Sequence, residues 1–181
     1  IESEQNDQEF IDQNIEEEDL QAWNFNDDSE VYIREIPGGT NDRWNQANFD
    51  KHSFINFFGA QIGNHRQRIL LRNVRSNGTL AFVEVRKNIS VASHNYRFEL
   101  NAASGLQYPT SNRPIGVFLK VAPRMFLYVL AMPSDEFYDN IRIYLVNNST
   151  KVIRNRMKIY HTNVGIIKNE CTQLPLWNLF T

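Results

Sequence analysis

From Glu30 onward, short runs of strand-forming residues alternate with turn signals, and nowhere does a strand, a long helix and another strand follow in the βαβ manner. "EVYIREI" (30–36) ends at Pro37-Gly38-Gly39. "RQRILLRNV" (66–74) and "LAFVEVRK" (80–87) flank Asn77-Gly78, a hairpin signal. "NYRFEL" (95–100), "PIGVFLKVA" (114–122) and "RMFLYVLAM" (124–132) follow, the last two joined tightly at Pro123. Two segments read as short helices. "DKHSFINFF" (50–58) has Asp50 as N-cap, Phe54, Phe57 and Phe58 on one face, and Gly59 as stop. "SDEFYDNIRIYLVNN" (134–148) offers Ser134 as cap and Phe137, Ile141 and Leu145 at i, i+4, i+8. The expectation is a mostly β, mostly antiparallel, barrel-like domain of about seven short strands and two short helices.

The charge is unevenly spread. Residues 1–30 hold 12 of the 21 acids and no Lys or Arg, so residues 31–181 carry 21 − 12 = 9 acids against all 19 bases, a net of +10. Thirteen of those bases are arginine, the planar and bidentate one. A basic body with an acidic arm is the balance of a nucleic-acid binder, or of a module that meets an acidic protein. Residues 1–29 read as an acidic linker or docking arm, with Phe10, Ile15, Leu20 and Trp23 as anchors. Such an arm would compete with phosphates for the basic face, so deleting 1–27 should tighten non-specific DNA binding. The body is read as 30–181, with 150–181 an extension whose apolar "LPLWNLF" (174–180) packs back on it. There Arg154, Arg156 and Lys158 serve solvation or phosphate contact. The chain opens Ile-Glu-Ser without a secretory segment, and is read as a fragment whose missing part lies N-terminal. One cysteine, Cys171, suits a reducing cytoplasm, and no apolar run is long enough for a membrane helix.

Catalytic patterns are weak. His52, His65, His94 and His161 are scattered without metal-ligand spacing, and no phosphate loop or nucleophile elbow occurs. The nearest nuclease-like set is Asp50 with Glu84-Val85-Arg86. Arg86 stands where a metal-dependent nuclease needs lysine, and Arg cannot shed its proton. An ion-paired strand face accounts equally well for Glu84 and Arg86. The expectation is no catalytic site, no metal and no cofactor.

Two polar excursions break the strand texture. "REIPGGTNDRWNQANFD" (34–50) displays Arg34, Asn41, Asp42, Arg43 and Asn45. The stretch 88–97 displays His94, Asn95 and Arg97. Arg suits guanine, Asn suits adenine and Asp suits cytosine in a major groove. These eight are the candidates for base contacts. Asn64, Arg66, Arg68 and Lys87 are candidates for phosphates. The Asn, Asp and Gly residues of the first excursion are also ordinary turn residues, but two such excursions on one basic body favour contact with DNA; packing is the plainer account of Trp44, because duplex DNA offers it no unstacked base.

The order of these elements resembles the B3-like DNA-binding pseudobarrel of plant transcription factors and of some type II restriction enzymes, above all the C-terminal specificity domain attached to phospholipase-D-like nucleases. "DKHSFINFFG" and "NYRFELNAASGLQYPTSNRPIGVFLKVAPRMFLYVLAMPSD" carry the resemblance, which covers roughly 30–147. It implies an open seven-stranded pseudobarrel that grips duplex DNA in the major groove with two arms, here 34–46 and 90–97. It further implies the recognition domain of a bacterial, cytoplasmic restriction endonuclease, whose nuclease domain lies N-terminal in the same parent chain. No His-x-Lys motif of that nuclease occurs in these residues.

Overall fold

The computed structural model describes residues 23–39, 43–63, 67–87, 89–91, 95–149 and 157–179; for 89–91 and 95 it describes the backbone alone. Among the described residues nine strands form two sheets. They are β1 (Glu30–Glu35), β2 (Gln46–Phe49), β3 (Arg68–Val74), β4 (Leu80–Lys87), β5 (Ile89–Val91), β6 (Asn95–Glu99), β7 (Ile115–Ala122), β8 (Met125–Ala131) and β9 (Ile159–Asn163). The larger sheet runs β4-β3-β8-β7-β1-β9 and the smaller β2-β6-β5. Pairing is antiparallel except between β3 and β8. The fold is thus mostly β, with nine strands among the described residues: the six runs read as strands, and three more. The additions fall inside the two excursions (β2, β5) and the C-terminal extension (β9), where polar residues interrupt the apolar pattern.

The central strands are buried on both faces, which is why they read as nearly unbroken apolar runs. Alternation then sorts their chemistry. Val31, Ile33, Val117, Leu119, Leu127 and Val129 face one side. Tyr32, Phe118, Phe126 and Tyr128 face the other. The aliphatic side is covered by α2 (Tyr138–Asn148), through Ile141 and Leu145, and by α3 (Val164–Glu170), through Ile167. The aromatic side is covered by α1 (Lys51–Asn56) and the small sheet.

The local signals explain most of these elements. Asp50 caps α1 as expected, its Oδ2 accepting from Ser53 N at 2.8 Å. Gly78 takes φ +85° in the β3–β4 turn, a conformation that costs glycine little. The β7–β8 turn instead puts Arg124 at φ +60°. The second helix departs from expectation. It begins at Tyr138 rather than Ser134, its cap position is Phe137, and no side chain caps it. Asp135 instead closes the preceding turn, its Oδ2 accepting from Met132 N at 2.8 Å.

The first and last described segments both join the aliphatic core. Trp23 is buried there, and Phe25 packs edge-on to Trp177 with ring centroids 6.1 Å apart. Residues 157–179 add the edge strand β9, then α3, whose cap Asn163 accepts from Ile166 N at 3.0 Å, then the turn Pro175–Trp177 (η2). Burial pushes the Cys171 thiol up to about 12. No described helix is long and apolar enough to cross a membrane.

Candidate nucleic-acid interface

The small sheet is the element that organises the polar excursions. In β2 and β6 alternation sends Ala47, Phe49, Tyr96 and Phe98 into the aromatic core. Gln46, Asn48, Arg97 and Glu99 therefore line the opposite face, half-buried, with Gln46 opposite Glu99 and Asn48 opposite Arg97. Arg97 Nη1 donates to Gln46 Oε1 at 3.3 Å. Asn48 Oδ1 and Arg97 Nε are buried and have no hydrogen-bond partner among the described residues. Such atoms cost about 1–3 kcal/mol each while they stay unpaired.

The ladder also fixes where the excursions leave. The first enters β2 at Gln46, beside Glu99. Val91 and Asn95, which bracket the second, pair at the far end of β6. From Asn95 to Leu100 a strand spans about 17 Å, so the excursions leave opposite ends of one small sheet. The first is pinned hard. Trp44 is 1% exposed, and its Nε1 donates to Leu106 O at 2.7 Å. It is a packed anchor. Asn45 Nδ2 donates to Glu99 Oε1 at 3.2 Å, and Leu100 N to Asn45 O at 2.8 Å. A Cβ on Gly39 would stand 2.8 Å from the Arg43 backbone, so the loop closes on itself where only glycine fits.

The expected contact residues are placed differently from one another. Arg43 is exposed at the loop's base. Asn45 is half-buried and holds the loop to β6, a positioning role. Arg34 requires correction. It is 4% exposed; its Nε donates to Glu35 O at 2.9 Å, its Nη1 lies 4.0 Å from Asp50 Oδ1, and its guanidinium stands 5.1 Å from the Phe49 ring centroid. Strand alternation turned it inward, so it is not a base contact. Arg68 and Lys87 are half-buried and directly opposite across β3 and β4. Arg68 Nη1 donates to Gln67 O at 3.3 Å. Asn41, Asp42, Asn64, Arg66 and His94 lie outside the described residues, as does the Asn95 side chain; so do Arg154, Arg156 and residues 1–22.

Two polar clusters flank the small sheet, the first half-buried with His161 exposed at its edge, the second buried. In the first, Asp50 Oδ1 accepts from Tyr32 OH at 2.8 Å, and Ser53 Oγ lies 3.1 Å from His161 Nε2, whose ring stacks on Tyr32 at 4.7 Å. Burial opposes the Asp50 charge, but hydrogen bonds from Ser53 and Tyr32 and the Arg34 charge outweigh it, so its pKa lies below 3.8. Burial holds the His161 pKa below 6.5.

In the second cluster Glu84, 4% exposed, accepts from Tyr128 OH at 2.6 Å, Asn101 N at 2.7 Å and Arg86 Nη2 at 3.1 Å. Burial still raises its pKa, against those three donors. The Glu84–Arg86 pair is therefore an interior ion pair on one strand face. Asp50 is engaged in the other cluster. Among the described residues no group of three His, Cys, Asp or Glu could hold a metal ion.

One solved structure to which the chain is similar is the N-terminal domain of Helicobacter pylori LlaJI.R1. Identity is 14%, the TM-score is 0.49, and the match covers 74% of this chain and 97% of that one. No protein-family model and no curated protein matches the sequence.

Proposed function

We propose that the chain is a sequence-specific duplex-DNA-binding domain with an open B3-like pseudobarrel, the recognition module of a bacterial restriction endonuclease whose nuclease domain lies N-terminal in the same parent chain. The observation that carries this reading is the small sheet. Two excursions rich in base-pairing side chains leave its opposite ends, on a body of net charge +10. A spacing of about 17 Å compares with a major groove about 12 Å wide. One excursion then enters at each side of a duplex. Asn41, Asp42 and Arg43 read from the first and His94, Asn95 and Arg97 from the second, while Asn64, Arg66, Arg68 and Lys87 hold phosphates. Asn48 and Arg97 supply a buried acceptor and donor that a base edge or a bridging water would satisfy.

Selection of bound duplexes from a random pool tests the reading. The expected outcome is an enriched motif of several base pairs, and Arg43→Ala should cost about 1–3 kcal/mol on it and relax one position. If Arg43→Ala weakens cognate and random DNA alike, Arg43 is a phosphate contact. No preference among duplexes at physiological salt would favour a basic module that binds an acidic protein.

A further inference from the structure

Phe82 is the most exposed large apolar residue described, at 87%, and it stands on the edge strand β4 at the mouth of a cleft of about 240 Å³. The other lining residues are Asn73, Arg75, Ala81, Glu84, Asn101 and Ala102. We propose that this cleft holds one unstacked nucleobase bearing an exocyclic amino group, cytosine or adenine, stacked on Phe82 with its amine donating to Glu84. The proposal rests on the DNA-binding reading above and adds a site to it.

Three observations lead there. An aromatic ring left in water beside a polar cleft is a stacking surface without an occupant, and bases stack on such rings irrespective of sequence. Glu84 supplies the selectivity. An ionised carboxylate offers about four acceptor positions. Among the described residues Oε1 takes Asn101 N and Arg86 and Oε2 takes Tyr128 OH, so Glu84, which lines the cleft, keeps one acceptor position on Oε2. It accepts from an amine and rejects the carbonyl that thymine presents in its place. Finally, the cleft adjoins the first excursion. Its floor is the turn Asn101–Ala103 (η1), which follows β6 directly, and the Asn45 side chain reaches Ser104 Oγ at 3.5 Å. Arg75 braces the β3–β4 turn instead, donating to Leu80 O at 3.1 Å.

The test uses three duplexes of one sequence: fully paired, with one extra unpaired cytosine, and with one extra unpaired thymine. The whole chain should bind the cytosine bulge about tenfold tighter than the paired duplex and gain less on thymine, in line with stacking on an aromatic side chain. Phe82→Ala should abolish that gain and leave the paired duplex unaffected, and Phe82→Trp should restore it. No gain, an equal gain for thymine, or a gain that survives Phe82→Ala overturns this proposal alone. Failure to bind any of the three at low salt overturns the DNA-binding reading, and this proposal with it.

Discussion

The two faces of the large sheet are filled with different side chains, and the difference follows what each face supports. The aliphatic face is Val, Ile and Leu under two helices. The aromatic face joins Tyr32, Phe49, Phe57, Phe58, Phe98, Phe118 and Phe126 in ring contacts, with Phe58 touching six other rings. Aliphatic side chains fill volume between smooth helix and sheet surfaces. Rings have few rotamers and prefer set geometries, so a lattice of them fixes the small sheet, and with it the roots of both excursions. The first excursion is built on the same plan, with Trp44 packed edge-on to Tyr108 at 5.5 Å.

The largest test of that contrast is a pair of truncations. Phe58→Ala should lose about 3–5 kcal/mol in urea unfolding, and Ile141→Val on the aliphatic face about 0.5–1.5. At a temperature where both variants are folded, only Phe58→Ala should weaken DNA binding. Equal affinities would dissolve the contrast.

Asp50→Ala removes the α1 cap and the Tyr32 partner, and should cost about 0.5–2 kcal/mol. The pH dependence has a definite sign. The folded-state pKa of Asp50 lies below its ordinary 3.8, so its contribution is present above that value and fades as pH falls through the folded value. Wild type and variant should converge in acid, and a gap constant down to pH about 2 would refute the assigned role.

Trp44→Phe keeps most of the ring and loses the bond to Leu106 O, for about 1 kcal/mol. It should blur the selected DNA motif on the side read by the first excursion only. The smallest effect expected is electrostatic. Trp23 and Phe25 belong to the aliphatic core and its margin, so the deletion that probes the acidic segment is 1–22, which holds nine acids. It should tighten non-specific binding at low salt and have little effect at high salt, as a filter-binding salt titration would read.

Much of the large sheet was legible beforehand, because each of its central strands is apolar on both faces and each turn carries its own chemistry: Asn77-Gly78, Pro123, Pro37-Gly38-Gly39. The α1 cap was legible for the same local reason, but the helix stops at Asn56, so Phe57 and Phe58 reach the aromatic core from the turn after it. β9 was not. "IYHTN" is a short, half-exposed edge strand, and it becomes a strand only because β1 offers it an unpaired edge. The site was legible as residue types and not as roles. Arg34 and Arg43 look alike in the sequence, yet the first sits on a strand whose alternation turns it into the core and the second on a loop closed over Gly39.

By itself the sequence determined the class of the fold, the charge asymmetry and the two places where a strand stops being written for packing. These are local properties, set by periodicity, turn geometry and counting. The tertiary structure alone decided that the excursions leave opposite ends of one three-stranded sheet, that Glu84 lies buried with three donors, and that Phe82 remains in water beside it. Those facts depend on which strands pair across fifty or more residues. Pairing of that range is settled by the summed burial of the whole core, which no single stretch of sequence contains.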